Sequence, residues 1–174
     1  MEISAGKIGR LGVIAAMAIW SLTLVTAPMD DVGGSFLHMI NLVFHEAGHI
    51  IFSPFGRFMT ILGGSLMQVL IPIVCALNLY FQNEDRFGAA LCAWWAGENL
   101  LDLAPYINDA RALNLILLGG PANAVEGHDW EAILTSLGCL HLDHTLANAA
   151  HFAGASIMWA ALVWASVART GSQE

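Results

Sequence analysis

The chain has 174 residues, 57% of them apolar and 11% charged, with a mean hydropathy of +0.64. A soluble domain carries about 25% charged residues, so these values place the chain among membrane proteins. The formal charge of -8 comes from scarcity of Lys and Arg, with acids spread along the chain, and excludes a nucleic-acid-binding surface.

Five apolar stretches, at 11 to 28, 36 to 55, 59 to 82, 87 to 107 and 144 to 168, each approach the roughly 20 residues that a helix needs to cross hydrocarbon. The expected fold is all-α: one integral membrane domain, a polytopic bundle of about five transmembrane helices with short interfacial helices. A sixth, shorter or re-entrant pass through Leu113 to Leu118 stays open. Lys7 and Arg10 precede the first stretch as in a signal peptide, with Val25-Thr26-Ala27 resembling a cleavage site. Pro28 would sit just after the cut and block it, so the stretch reads as an uncleaved span. With a cytoplasmic N-terminus, Lys7, Arg10, Arg57 and Arg111 fall inside, and Arg86 and Arg169 outside. Asp30-Asp31 and Glu84-Asp85 also fall outside.

The second stretch carries His45-Glu46-Ala47-Gly48-His49. On a helix, His45 and His49 lie one above the other on the same face, so both imidazoles can reach one cation. Glu46 sits about 100° round the helix from His45, beside the metal and not on it. Two neutral imidazoles holding Zn2+, with a carboxylate that takes a proton from water, is the arrangement of a zinc hydrolase. In an apolar helix such residues cost several kcal/mol unless they face a partner or a cavity. His38 shares this face about 10 Å along the axis, too far to ligate the same ion but placed to line a route to it.

In the third stretch, Gly63-Gly64-Ser65 permits close approach of a neighbouring helix or a bound chain. Gln68 reads first as an interhelical hydrogen bond, against a role in holding substrate backbone, and Pro72 as a kink. The fourth stretch places Glu98, Asn99, Asp102, Asn108 and Asp109 near one another, with Glu98 and Asp102 on one face. At membrane depth these groups must be satisfied from within the protein. Glu98, Asn99 and Gln68 are candidate linings of a water channel.

A catalytic zinc site needs a third protein ligand and leaves its fourth position to water. Asp109 is the first choice, because Pro105 can bend the helix and swing that carboxylate toward the metal. The rival is His128, beside Asp129, which reads as an N-cap for a short helix carrying Trp130. Asn108 to Asp143 is broken by Gly119-Gly120-Pro121 and reads as one or two short interfacial helices. Cys139, His141, Asp143, His144 and His151 form a second cluster, read as a solvated rim rather than a second metal site. Cys75, Cys92 and Cys139 are odd in number and argue against a disulfide framework.

On Phe44-His45-Glu46-Ala47-Gly48-His49 and the polar span leading to Asp109, the chain resembles the site-2 protease family of intramembrane zinc metallopeptidases, especially its small bacterial members without a PDZ domain. The resemblance covers about residues 36 to 111. It implies His45 and His49 as ligands, Glu46 as catalytic base and an Asp from a later span as third ligand. The family's second motif, Asn-x-x-Pro followed by Asp-Gly, is approximated only by Asn99, Pro105 and Asp109. Ala110 replaces the Gly, as in an Asp-Ala variant of a divergent branch.

These readings combine into a multi-pass protein of the bacterial inner membrane holding one Zn2+ per chain. It would hydrolyse peptide bonds of a transmembrane protein or peptide substrate that must locally unwind. Two other classes stay open: an inactive relative that grips a partner helix, and a metal carrier using His38, His45, His49 and the outer His and Asp residues as a relay. The sequence leaves the oligomeric state open.

Overall fold

A computed structural model describes residues 5–28, 35–118, 120–121 and 127–168. Six helices follow one another: α1 (Ala5–Thr26), α2 (Phe36–Phe52), α3 (Arg57–Phe81), α4 (Arg86–Asn108), α5 (Asp129–Ser136) and α6 (Asp143–Val167). Short 3-10 turns at Ser53–Phe55 and Leu140–Leu142 adjoin α2 and α6. Strand β1 (Ile116–Leu117) pairs antiparallel with β2 (Gly120–Pro121), so Leu113 to Leu118 is no helical pass. Leu113 instead takes a left-handed φ of 53°.

Local chemistry sets the breaks. The Ser35 hydroxyl caps α2 by accepting from the His38 N–H at 3.1 Å. Pro54 opens the turn after α2, and Gly56, at a φ of 94° that other residues resist, starts α3. The Asp85 carboxylate caps α4 by accepting from the Gly88 N–H at 2.9 Å. Such short connections make α2, α3 and α4 sequential neighbours.

α4 is the centre of the bundle, with 13 of its 23 residues buried. It packs between α3 and α6, while α2 lies against α3 and α1 against α6. Paired glycines bring the backbones together at two crossings. A Cβ at Gly97 would stand 2.8 Å from the Gly154 carbonyl oxygen, and one at Gly63 2.7 Å from that of Gly48. Leu24, Trp94, Leu101, Met158 and Leu162 form the apolar core between α1, α4 and α6.

The outer surface is apolar: Phe36, Ile50, Phe81, Phe152 and Val163 are each more than 60% exposed. Among the described residues, three helical segments, Gly6–Thr26, Arg57–Phe81 and Leu140–Val167, are long and apolar enough to cross a membrane. Pro105 stays inside α4, and the helix runs on to Asn108. Asp30, Asp31, Arg169 and Gly119 lie outside the described residues.

Candidate metal centre

Helical spacing on α2 sets the rings of His45 and His49 edge to face with their centroids 4.9 Å apart. His45 is buried and His49 half-buried, both pressed on α3 at Gly64. A Cβ at Gly64 would come within 2.6 Å of His45 Nε2 and 2.7 Å of His49 Cε1. The glycine run seen in the sequence therefore serves two contacts: Gly63 meets the backbone of α2, and Gly64 makes room for the imidazoles.

Each ring has its Nδ1 engaged by an oxygen of α3. His49 Nδ1 lies 2.8 Å from the Thr60 carbonyl oxygen, which can only accept, so this nitrogen carries the proton. His45 Nδ1 lies 3.1 Å from Gln68 Oε1. Both Nε2 atoms turn to one carboxylate oxygen, Asp129 Oδ2, at 2.9 Å from His45 and 3.3 Å from His49. Among the described residues, His45, His49 and Asp129 form the one group of three with metal-ligand chemistry, their ligand atoms all within 4.8 Å of one another.

Three lone-pair-bearing atoms cannot stay at such separations without a positive charge between them, whether a proton or a metal cation. Donor atoms about 2.0 Å from a tetrahedral ion stand about 3.3 Å apart, close to the two nitrogen–oxygen separations of 2.9 and 3.3 Å here. Nδ1–H bound to an outer oxygen and Nε2 free for the cation is also the usual bonding of a ligating histidine. The residues fit a metal ion.

Asp129 is the first residue of α5, and its backbone N–H donates to the Tyr106 hydroxyl at 2.8 Å. Burial pushes its carboxyl pKa up, but hydrogen bonding with His45 and His49 outweighs this and holds it below the ordinary value. Glu46 is exposed on the wall of a cavity of about 690 Å3 that also reaches His38, His45, His49, Gln68 and Asp129. The apolar part of that wall includes Met39, Leu42 and Leu115 to Leu118.

The structure sets Asp109 apart from the histidine pair. As C-cap of α4, Asp109 accepts the N–H groups of Asn114 at 2.8 Å and Leu115 at 3.1 Å, which commits both carboxylate oxygens to the following loop. His128 does not reach the pair either. It takes the N-cap place expected for Asp129, with Nδ1 accepting from the Glu131 N–H at 3.1 Å and Nε2 3.4 Å from Asp109. Burial lowers the His128 pKa, against the pull of Asp109 and Asp129. The sequence signal for the carboxylate was the polar pair His128-Asp129 after Gly127; the capping and cation-facing roles fall one residue away from those expected.

Glu98 and Asn99 are buried within the bundle and are not among the cavity-lining residues, so of the expected channel residues only Gln68 reaches the cavity. The second polar cluster does not converge. Asp143 is fully buried in a two-pronged pair with Arg111, at 2.7 Å to each nitrogen, and His144 bonds Asn108. Comparisons with known protein families, with curated proteins and with solved structures found no match.

Proposed function

We propose that the chain is an intramembrane zinc metallopeptidase, a divergent relative of the site-2 proteases. The observation that carries this reading is the convergence of His45, His49 and Asp129 next to Glu46 on the wall of one cavity. His45 and His49 would hold the metal through Nε2 and Asp129 through a carboxylate oxygen. This is the three-ligand set of a catalytic zinc site, with Asp129 in the place expected for Asp109. Bound there, Zn2+ supplies Lewis-acid chemistry, polarising a peptide carbonyl and making water a better nucleophile at neutral pH.

The protein's own groups do the rest. Glu46 takes a proton from the attacking water and returns it to the leaving amine. Gln68 and the Thr60 carbonyl hold the two imidazoles in the ligating tautomer. The apolar wall at Met39, Leu42 and Leu115 to Leu118 suits the side chains of an unwound transmembrane segment, whose carbonyls a helix would otherwise shield. The apolar exterior, and the packing of α2 and α4 against helices long and apolar enough to cross a membrane, support a five-span arrangement; a bacterial inner membrane and a cytoplasmic N-terminus rest on the basic residues of the short loops alone.

The test is the full chain in liposomes with a mixture of single-span membrane proteins, new termini being read by mass spectrometry. Zinc near one equivalent, with cleavage by the wild type and none by Glu46→Gln despite retained zinc, is the expected result. Cleavage by Glu46→Gln at the wild-type rate removes Glu46 as the base, and a wild type that binds no zinc removes the metallopeptidase reading.

A further inference from the structure

We propose that Asp102 is a positioning residue for the metal centre, fixing the tautomer of His45 through the side-chain amide of Gln68; this rests on the metallopeptidase reading of the site. An amide can present either its oxygen or its NH2 group to a neighbour. If Gln68 turned its NH2 toward His45, Nδ1 would have to accept, the ring proton would move to Nε2, and Nε2 could not ligate.

The buried network behind the site decides the orientation. Trp95 Nε1, which can only donate, gives its proton to Asn41 Oδ1 at 2.9 Å. That turns the Asn41 NH2 to Asp102 Oδ2 at 3.2 Å and to Glu98 Oε2 at 2.9 Å. Gln68 Nε2 donates to the same Asp102 oxygen at 2.9 Å, which leaves Gln68 Oε1 facing His45 Nδ1. The second Asp102 oxygen lies 2.9 Å from Nδ1 of His38 on the cavity wall.

Asp102 thus accepts from two side-chain amides and meets the His38 ring at Nδ1, while Glu98, one turn earlier, receives the Asn41 amide and leaves its Oε1 unpaired in a fully buried site. An Asp102→Asn side chain that turns its NH2 to Gln68 Oε1, leaving the Asn41 NH2 on Glu98, reverses the Gln68 amide and with it the proton on His45. Outer partners of metal ligands commonly matter by about 10- to 100-fold in metal affinity.

The test uses the full chain in detergent with Co2+ as the probe, read by its absorption spectrum and by competition with a chelator, and 15N shifts of the His45 ring without added metal. The expected wild type carries its His45 proton on Nδ1. Asp102→Asn moves that proton toward Nε2, weakens Co2+ binding by about 10- to 100-fold and changes the spectrum. Combining Asp102→Asn with Gln68→Glu, which restores an acceptor facing His45, recovers most of the affinity.

Unchanged affinity and spectrum in Asp102→Asn overturn the proposal. So does a wild-type His45 protonated on Nε2, a measurement that stands even if the single variant does not fold. A wild type that takes up no metal yet keeps the Nδ1 proton overturns the metallopeptidase reading, while the effect of Asp102→Asn on that proton still decides the positioning role.

Discussion

Gly64 lies face to face with His45 across the contact of α2 and α3, so near that a Cβ there would stand 2.6 Å from the imidazole Nε2. The backbone of α3 is the floor on which both ligand rings rest. Gly64→Ala must push the rings off that floor or part the helices, and overpacking of this kind costs about 1–3 kcal/mol. If the rings tilt, that cost appears as metal affinity, about tenfold for each 1.4 kcal/mol. A Co2+ titration and a thermal melt of Gly64→Ala together measure the two routes. A variant unchanged in both has no floor to lose at this position.

Asp129 and Asp109 separate cleanly as variants. Removing the carboxylate in Asp129→Ala leaves two imidazoles, and metal affinity should fall by more than the roughly 100-fold that outer partners contribute. Asp109→Asn keeps an acceptor for the loop N–H groups of Asn114 and Leu115 and should hold metal within a few-fold of wild type, at about 1 kcal/mol of stability. Metal content after dialysis against a weak chelator distinguishes them. Reversed results would return the third-ligand role to Asp109.

Much of the fold was legible because apolar run length and breaking residues act locally. The stretch 36 to 55 coincides with α2 and its 3-10 turn, and 87 to 107 falls one residue short of α4 at each end. The histidine pair was legible because four residues make one helical turn, whatever surrounds them. The partner carboxylate was not. Asp129 is 84 positions from His45, and nothing local says which face of α5 will meet α2. Pro105 did not end the helix: α4 continues through it to Asn108, so the carboxylate that follows caps α4 and serves the next loop.

The crossing of α4 and α6 predicts a purely mechanical sensitivity. Gly97 and Gly154 face each other so closely that a Cβ at Gly97 would lie 2.8 Å from the Gly154 carbonyl oxygen and 2.9 Å from the Met158 nitrogen. Both contacts are with backbone, which cannot step aside as a side chain can. Gly97→Val should therefore separate the two helices and destabilise the bundle by about 1–3 kcal/mol or more, with loss of thermal stability before any loss of metal affinity per folded molecule. Equal melting temperatures for variant and wild type would show that the helices cross less tightly than described.

Metal removal should loosen α5 more than the bundle. The histidines belong to α2, inside the packed helices, whereas Asp129 belongs to a helix of eight residues joined to the site by its carboxylate and by the Tyr106 hydroxyl. A cation binding both α2 and α5 stabilises the folded state by about 2.7 kcal/mol when present at 100 times its dissociation constant. For a chain of this size that corresponds to about 5–10 °C in melting temperature. A chelator should remove this increment, and hydrogen exchange should quicken first at the amides of α5 and only later in α4. In Asp129→Ala the melting temperature should be nearly indifferent to zinc, because the ion then no longer joins the two helices. Equal zinc-dependent stabilisation of wild type and Asp129→Ala would mean that any bound ion is held without α5.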